Sequence, residues 1–338
     1  MNRSVVGVDL GGTNVRARAY LADGTPAGER CQNPSDAQDG VEATIAAVLA
    51  TVRDAMATST SPVEAVGLAI PGHIDDARGL VRWAPNFGHT VDGVFRNWTD
   101  VPIKAPLEAA LGVPVRMDND ANMAALGEYR FGLGRNRATC LVMLTLGTGV
   151  GGGVVMAPDA LVGDVRGPVV LVGGNKGGVE LGHLVIQHGG LDCNAGSYGS
   201  LEAYCQRDAI VRRAVHRLKR GRPSLVADVV GGDWARVTPL VLADAAHAGD
   251  ELALEVWAEI GTALGVGIGV CVNIFAPEIV AIGGQIAQVG EPLLGPARAA
   301  ARNTAVPSLY ADTRIELAEQ LEDAGMLGGA ALALGPSA

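Results

Sequence analysis

The sequence predicts an α/β protein built on an internal duplication. Its 338 residues are 48% hydrophobic and 18% charged, which is the balance of a compact protein with room for two cores. Strand-length apolar segments alternate with segments of helical spacing, and a strand, Gly/Thr turn, strand pattern occurs twice. A duplication of this kind would place two phosphate-facing turns on opposite walls of one cleft.

The first of these patterns lies at the N-terminus. Residues 4–10 are apolar except for Asp9, the turn Gly11-Gly12-Thr13-Asn14 follows, and residues 15–21 alternate, which predicts a β-hairpin. Because glycine lacks a side chain, backbone amides there can approach a phosphate closely. An ordinary hairpin turn would also use two glycines. Asp9 before the turn and the second pattern favour a phosphate site.

The second pattern begins at residue 139. An apolar segment runs to Leu146, Gly147-Thr148-Gly149 turns, and residues 150–156 continue as a strand. Glycines also occur where two strands simply approach closely, so this turn has a structural alternative. Thr145 stands where Asp9 stands in the first pattern. Only the first turn therefore keeps an acid suited to magnesium or its water shell.

A polar run lies at a predicted strand-to-helix junction between the two patterns. A helix is expected over residues 40–57, a strand over 63–70 ending at Pro71-Gly72, and a strand over 113–117. Asp118-Asn119-Asp120-Ala121-Asn122 follows and leads into a helix to about residue 131. Open α/β sheets bind ligands at such junctions. Helix capping would explain one of these residues, and the others favour a site where one Asp accepts a proton.

The C-terminal half predicts mostly helices. Its segments are a Gly-rich stretch at 161–200, a helical stretch at 201–219, a connector at 220–237, helices over 239–272, a strand at 279–282, a turn at Gly283-Gly284, a helix from about 292, a strand near 314–317 and a last helix at 325–334.

Charge and cysteine content exclude several classes of protein. The net charge of −10 argues against a nucleic-acid surface, which needs clustered Lys and Arg. Apolar runs carry glycines and polar residues, so neither a membrane span nor a secretory signal is expected, and the expected location is the cytoplasm. The five scattered cysteines are expected to be reduced thiols.

The chain resembles the ROK family of sugar kinases and repressors, and is most similar to its bacterial glucokinases. The resemblance is carried by residues 9–16, 119–122 and 177–202, and it extends from Val5 to about Leu334. It implies a duplicated actin-like (ribonuclease H-like) ATPase fold with two lobes around a central cleft. Residues 1–118 plus about 318–338 would form the small lobe, and residues 119–317 the large lobe.

The resemblance also implies roles for individual residues and for ligands. Asp120 would be the catalytic base facing the sugar 6-hydroxyl, with ATP and Mg²⁺ as cofactors. A homodimer or homotetramer is also implied. The residues implied to bind ATP are Asp9, Gly11, Gly12, Thr13, Asn14, Gly147, Thr148 and Gly149 at the phosphates, and Gly283 and Gly284 near the adenosine. Those implied to bind the sugar are Gly72, Asn86, Asn119, Asp120, Glu180, His183 and Glu202.

One family feature is incomplete here. The family's zinc module has one His followed by a Cys-x-Cys-Gly-x-x-Gly-Cys-x-Glu pattern, and the corresponding run begins at Cys193. Ala195 and Ser200 stand where the pattern has its second and third cysteines. His183 and Cys193 supply two of the four ligands that a structural zinc needs. We therefore expect no structural zinc.

Several functions remain open at this point. The leading one is transfer of the ATP γ-phosphoryl group to the 6-hydroxyl of glucose. Alternatives are another acceptor (N-acetylmannosamine, N-acetylglucosamine, fructose or allose) or polyphosphate as donor. A sugar-responsive repressor would need a helix-turn-helix domain before the first turn, and eight residues precede Asp9. A catalytically silent sugar-binding protein is disfavoured because Asp9, Asp120, Glu180 and both glycine turns are present.

Overall fold

The computed structural model describes residues 3–163, 165–320 and 323–335. The chain forms two compact units. The first comprises Met1–Thr139, Gly153–Val179 and Glu322–Ala338, and the second comprises Cys140–Gly152 and Glu180–Leu321. The division into lobes at residue 118 stays a prediction; by their contacts, residues 119–139 group with the first unit. Residues 321, 322 and 336–338 of the expected C-terminal part of the small lobe lie outside the described residues.

Strands dominate the first half of the described chain and helices the second half. The strands are β1 (Ser4–Leu10), β2 (Asn14–Leu21), β3 (Cys31–Pro34), β4 (Val63–Ile70), β5 (His73–Asp75), β6 (Leu80–Val91), β7 (Val94–Pro102), β8 (Val115–Asn119), β9 (Cys140–Leu146), β10 (Val150–Met156), β11 (Val169–Val170), β12 (Ile279–Gly283) and β13 (Arg314–Leu317). The helices are α1 (Val41–Ala57), α2 (Lys104–Leu111), α3 (Asp120–Phe131), α4 (Leu201–Cys205), α5 (Arg207–Lys219), α6 (Leu225–Val230), α7 (Pro239–His247), α8 (Glu251–Phe275), α9 (Glu291–Thr304), α10 (Pro307–Ala311) and α11 (Ala324–Leu334).

The sheet of the first unit has the order β3-β2-β1-β4-β8. β1 and β2 pair antiparallel from Ser4 opposite Leu21 to Leu10 opposite Val15, which confirms the predicted N-terminal hairpin. β1, β4 and β8 run parallel. Their carboxyl ends therefore meet at one edge, where the predicted polar motifs begin.

Helix α11 packs on this sheet at van der Waals distance. It contacts β1, β4 and α3. A methyl group at Gly67 of β4 would lie 1.7 Å from the Gly329 carbonyl oxygen, and one at Gly328 would lie 1.7 Å from the Met123 carbonyl oxygen. Only glycine permits this approach of backbone to backbone. The C-terminal helix is thereby fixed beside the strands that carry the motifs.

A three-stranded antiparallel sheet, β5-β6-β7, was not predicted. The β6 segment contains Pro85, Asn86 and Gly88, which break an alternating pattern, and its pairing with β7 shifts register between Ala84 and Gly88. The sheet is stabilised by buried side chains. Phe87 packs on Trp98 of β7 with ring centroids 5.1 Å apart.

The remaining sheet has the order β11-β10-β9-β12-β13, with β9, β12 and β13 parallel. The predicted second strand, turn, strand pattern is present as β9, the turn at 147–149 and β10. β10 passes from the second unit to the first between Gly152 and Gly153. The duplication of the strand and turn pattern is thus confirmed in both sheets.

Helix α8 is the longest apolar helix of the described residues. By length and composition it could cross a membrane, and half of its most apolar stretch is buried in the protein. It packs along α9 through small residues, since a methyl group at Gly265 would lie 2.2 Å from the Ala297 carbonyl oxygen. Its apolar character is that of a helix in the core of the second unit.

Candidate active site

Strand register brings three predicted motifs of the first unit to one edge of the sheet. Asp9 pairs with Ala69, and Ala69 pairs with Asp118 on the other side. Since neighbouring strands are separated by about 4.8 Å, the Cα atoms of Asp9 and Asp118 lie about 10 Å apart. The turn at 11–14, the Pro71-Gly72 turn and the run at 118–122 follow these strand ends.

Asn119 is the N-cap of α3. Its Oδ1 accepts hydrogen bonds from the backbone N–H groups of Ala121 at 2.9 Å and Asn122 at 3.3 Å. Its Nδ2 donates to the Gly72 carbonyl oxygen at 2.9 Å. The capping alternative therefore accounts for Asn119, and the same side chain joins the start of α3 to the Pro71-Gly72 turn.

Asp120 is the first residue of α3, and its side chain is partly exposed. Oδ1 accepts a hydrogen bond from the Ala121 N–H at 2.9 Å. The positive end of the helix dipole favours a carboxylate at this position. A carboxylate held at a helix start, with partial access to solvent, can orient a hydroxyl and accept its proton.

Asp118 has a different environment from Asp120. Its Oδ1 accepts hydrogen bonds from the Asn119 N–H at 2.7 Å and from Asn122 Nδ2 at 3.3 Å. Burial raises the pKa of this carboxyl to about 6, although both hydrogen bonds act to lower it. The two acids of this short run therefore differ in the groups that donate hydrogen bonds to them.

Asp9 lies at the end of β1 with a cationic neighbour. Its Oδ2 is 3.8 Å from Arg16 Nη1. Burial raises its pKa, and the charges of Arg16 and Arg30 oppose that shift. A methyl group at Gly325, near the start of α11, would lie 3.0 Å from Asp9 Oδ1. The carboxyl therefore lies beside the start of α11, where the like charge of Asp323, the N-cap of that helix, also raises the pKa of Asp9.

Gly72 and the Asn86 segment lie close together in the first unit. Gly72 has φ 105°, and a methyl group there would lie 2.1 Å from the Trp83 carbonyl oxygen. Asn86 has φ 64° within the irregular part of β6 and is exposed. The two predicted sugar-pocket segments are therefore neighbours, and Asn119 contacts the first of them.

Asp76 was missed from the sequence, and it supports this region. Its Oδ1 accepts from Lys104 Nζ and from the Met117 N–H, both at 3.0 Å, and its Oδ2 accepts from Arg116 Nε at 2.8 Å. It thereby fixes the strand that leads into the acidic run. Its partners are distant in sequence, and no local pattern marks it.

In the second unit, the turn at 147–149 lies beside Gly283-Gly284. Thr145 of β9 pairs with Gly283 at the end of β12. Gly284 has φ 84°, and a methyl group there would lie 2.3 Å from the Leu146 carbonyl oxygen. The two segments predicted to bind the phosphates and the adenosine are thus adjacent in one sheet.

The helical stretch predicted over 201–219 is two helices, which is a correction. Gln206 is extended (ψ 158°) and separates α4 from α5. The first amide of α5, Arg207 N–H, donates to the Gly147 carbonyl oxygen at 2.9 Å. This contact with the glycine turn explains the break, and helical spacing of the sequence does not reveal it.

The three predicted sugar ligands of the second unit lie close to Cys193 or to one another. Glu180 Oε2 lies 3.9 Å from His183 Nε2. Cys193 Sγ lies 3.7 Å from His183 Nδ1 and 3.7 Å from Glu202 Oε1. Glu202 Oε2 accepts from the Val150 N–H at 3.0 Å, directly after the 147–149 turn.

The donor set does not fit the family's four-ligand zinc module. His183, Cys193 and Glu202 offer donor atoms within 4.8 Å of one another. Glu202 is already bound to the Val150 amide, and the second cysteine position holds Ala195. Ser200, at the third cysteine position, caps α4 by accepting from the Ala203 N–H at 3.2 Å. The side chain at position 200 therefore serves as a helix cap.

Comparison with known proteins identifies the relatives of this chain. A sequence profile described as the ROK family matches residues 5–335. The chain is 35% identical over 328 residues to a glucokinase of Thermotoga maritima, covering 97% of this chain and 96% of that protein. It is 34% identical over 335 residues to a glucokinase of Halalkalibacterium halodurans, covering 97% and 94%.

Solved structures give the same result. A ROK family glucokinase from Streptomyces griseus, in complex with glucose and AMPPNP, matches with a TM-score of 0.78 and 30% identity. The match covers 98% of this chain and 99% of that chain. The chain has the actin-like ATPase fold of these kinases, as the resemblance implied.

Proposed function

The chain belongs to the ROK family, and we propose that it is a glucokinase that transfers the γ-phosphoryl group of ATP to the 6-hydroxyl of glucose. The observation that carries the proposal is the near full-length likeness to two glucokinases at 34–35% identity. The polar run at 118–122 supports it, because Asp120 lies at a helix start beyond a parallel strand, where such sheets bind ligands.

Asp120 has the proton-accepting role in this proposal. The sugar oxygen attacks the γ-phosphorus, the bond from that phosphorus to the bridging oxygen breaks, ADP leaves, and the hydroxyl proton moves to the Asp120 carboxylate. The transition state of phosphoryl transfer is loose, so the base mainly orients the nucleophile. An aspartate with an ordinary affinity for protons is sufficient.

The two glycine turns are proposed to bind the nucleotide. Backbone amides at 11–14 and 147–149 would hold the phosphates, and Gly283-Gly284 would lie near the adenosine. When bound, Mg²⁺ would neutralise charge on the β- and γ-phosphates. Asp9 is the carboxylate suited to hold the ion or its water shell, and it lies at the end of β1 next to the first turn.

The proposed sugar ligands belong to two sets. In the first unit they are Asn119 and the neighbouring segments of Gly72 and Asn86. In the second unit Glu180, His183 and Glu202 are proposed to bind the end of the sugar near the anomeric carbon. Their support is the contact network around Cys193, which holds two of the three side chains together.

Three further proposals follow from the family likeness. The lobes are proposed to comprise residues 1–118 with about 318–338, and residues 119–317. The active form is proposed to be a homodimer or homotetramer, which size-exclusion chromatography with light scattering would measure. The enzyme is also proposed to act in the cytoplasm without nucleic-acid or membrane partners, and its net charge of −10 argues against a nucleic-acid surface.

An assay of ADP release tests the proposed reaction. The purified protein is given ATP and Mg²⁺ with glucose, fructose, allose, N-acetylglucosamine or N-acetylmannosamine in turn, and with polyphosphate replacing ATP in a parallel series. We expect the highest kcat/KM for glucose with ATP, and glucose 6-phosphate as product by mass spectrometry. A higher kcat/KM for another acceptor, or no ADP release with any hexose, would contradict the proposal.

A further inference from the structure

Cys193 is at the centre of a short chain of polar contacts in the second unit. The residue is buried, with 3% of its surface exposed. Its Sγ lies 3.7 Å from both His183 Nδ1 and Glu202 Oε1. The other carboxylate oxygen of Glu202 accepts from the Val150 N–H. A path of contacts therefore runs from the side chain of His183 to the backbone beside the 147–149 turn.

We propose that the Cys193 thiol replaces a metal ion as the group that holds His183 and Glu202 in position, and that it sets the tautomer of His183. This inference rests on the proposed function, since both side chains are proposed sugar ligands. Cys193 is thus a positioning residue, which acts on the sugar through its two neighbours.

The donor and acceptor properties of Cys193, His183 and Glu202 determine which atom donates in each contact. An ionised carboxylate only accepts, so the single thiol hydrogen is directed to Glu202 Oε1. The sulfur then accepts, and the hydrogen between Sγ and the imidazole is carried by His183 Nδ1. Neutral histidine with a hydrogen on Nδ1 has an unprotonated Nε2. The arrangement therefore presents His183 Nε2 as an acceptor.

A metal ion would impose the opposite tautomer on His183. A metal bound at Nδ1 needs the lone pair of that nitrogen, so the hydrogen lies on Nε2. Nε2 lies 3.9 Å from Glu180 Oε2, and in the proposed tautomer both atoms are acceptors. Hydroxyl groups of the sugar that contact them would therefore donate their hydrogens.

The loop around Cys193 is held by contacts that do not involve the thiol. The Cys193 N–H donates to the Ser197 carbonyl oxygen at 2.9 Å, and the Ile186 N–H donates to the Gly199 carbonyl oxygen at 2.9 Å. The Tyr204 hydroxyl accepts from the Leu191 N–H at 3.0 Å. Removal of the thiol should therefore move His183 and Glu202 and leave the loop folded.

Nitrogen NMR of histidine-labelled protein at pH 8 tests the tautomer without requiring activity. His183→Gln identifies the signal among the six histidines. We expect the hydrogen on Nδ1 in the wild type and in Cys193→Ser, and a loss of that preference in Cys193→Ala. Cys271→Ala, which removes a buried thiol from α8, is the matched control and should leave the signal unchanged. A hydrogen on Nε2 in the wild type, or stoichiometric zinc in protein purified without added metal, would overturn the proposal.

Steady-state kinetics test the effect on sugar binding. Because one or two hydrogen bonds are lost, Cys193→Ala should raise KM for glucose roughly three- to tenfold, with a smaller change in kcat. Cys193→Ser should recover part of the loss, and melting temperatures should stay close to wild type. An unchanged KM in Cys193→Ala would contradict the positioning role. If the wild type phosphorylates no hexose, the proposed function fails, whereas the tautomer measurement still decides on the thiol.

Discussion

At the scale of residues, the run at 118–122 contains two aspartates with different tasks. Asp118 lies near the end of β8 and accepts two hydrogen bonds, whereas Asp120 begins α3; both residues are partly exposed. Asn119 between them caps the helix and contacts the Pro71-Gly72 turn. One strand-to-helix junction thus provides an acid that accepts hydrogen bonds near the end of the strand and a second acid at the helix start that is suited to proton transfer.

The raised pKa of Asp118 predicts a pH-dependent stability. Its pKa rises from 3.8 to about 6 on folding, so the protonated form is favoured in the native state. The stability from this group is fully present below pH ~4 and is lost as the pH rises through about 6. Asp118→Asn, which does not titrate, should therefore increase the free energy of unfolding at pH 7.5 by about 1–3 kcal/mol.

Urea unfolding at pH 4 and pH 7.5 measures this effect. The advantage of Asp118→Asn over the wild type should shrink at pH 4, and Asp312→Asn on the exposed surface should show no such difference. An advantage that is equal at both pH values would contradict a carboxyl at position 118 whose pKa is raised on folding.

At the scale of elements, backbone contact between α11 and the first sheet positions the ends of β1 and β4. A methyl group at Gly67 would overlap the Gly329 carbonyl oxygen at 1.7 Å, and backbone atoms cannot rotate away as a side chain can. α11 also places Gly325 beside Asp9. The packing of this helix therefore affects both stability and the first candidate phosphate turn.

Gly67→Ala should destabilise the protein by about 1–3 kcal/mol or more, because the added methyl group forces the helix from the sheet. The matched control is Gly174→Ala, where an added methyl group meets nothing within 4 Å. Denaturant unfolding of both variants measures the difference. Equal stabilities would mean that α11 does not pack on β4 as described.

Local sequence patterns predicted those elements that local forces determine. The hairpin of β1 and β2, the strand β4 and the helix α3 agree with their patterns, because alternation and capping residues are visible in the sequence. The β5-β6-β7 sheet was not predictable, since Pro85 and Gly88 interrupt the pattern of β6, and its pairing with β5 and β7 makes it a strand. The break at Gln206 depends on the hydrogen bond from the Arg207 N–H to Gly147, 60 residues away.

The candidate site was predictable to a similar extent. Residues in glycine turns and at the strand-to-helix junction were found because their chemistry is concentrated in short motifs. Asp76 was missed, since its three partners come from other segments. The absence of two zinc-module cysteines was visible in the sequence, but the capping role of Ser200 and the contacts of Cys193 required the structure.

At the scale of the whole molecule, each unit contains a glycine turn and a set of polar side chains. The first unit contains Asp9, Asn119 and Asp120, and the second contains the 147–149 turn and the network around Cys193. The order of these motifs agrees with a family that spans residues 5–335. We predict that one residue, Asp120, is needed for the chemical step and dispensable for the fold.

Asp120→Asn is the most direct test of that claim. The substitution keeps the size of the side chain and an oxygen that can accept from the Ala121 N–H, so α3 should begin normally. Loss of a proton acceptor should lower kcat by about 10²–10⁴-fold. Asp118→Asn, two residues away, is the matched control and should keep turnover.

For the wild type and Asp120→Asn, glucose binding is measured by calorimetry and turnover is measured in the ADP-release assay. We expect the variant to bind glucose within a few-fold of the wild type while turnover nearly disappears. Turnover close to that of the wild type, or lost glucose binding with the chemical step intact, would contradict this prediction.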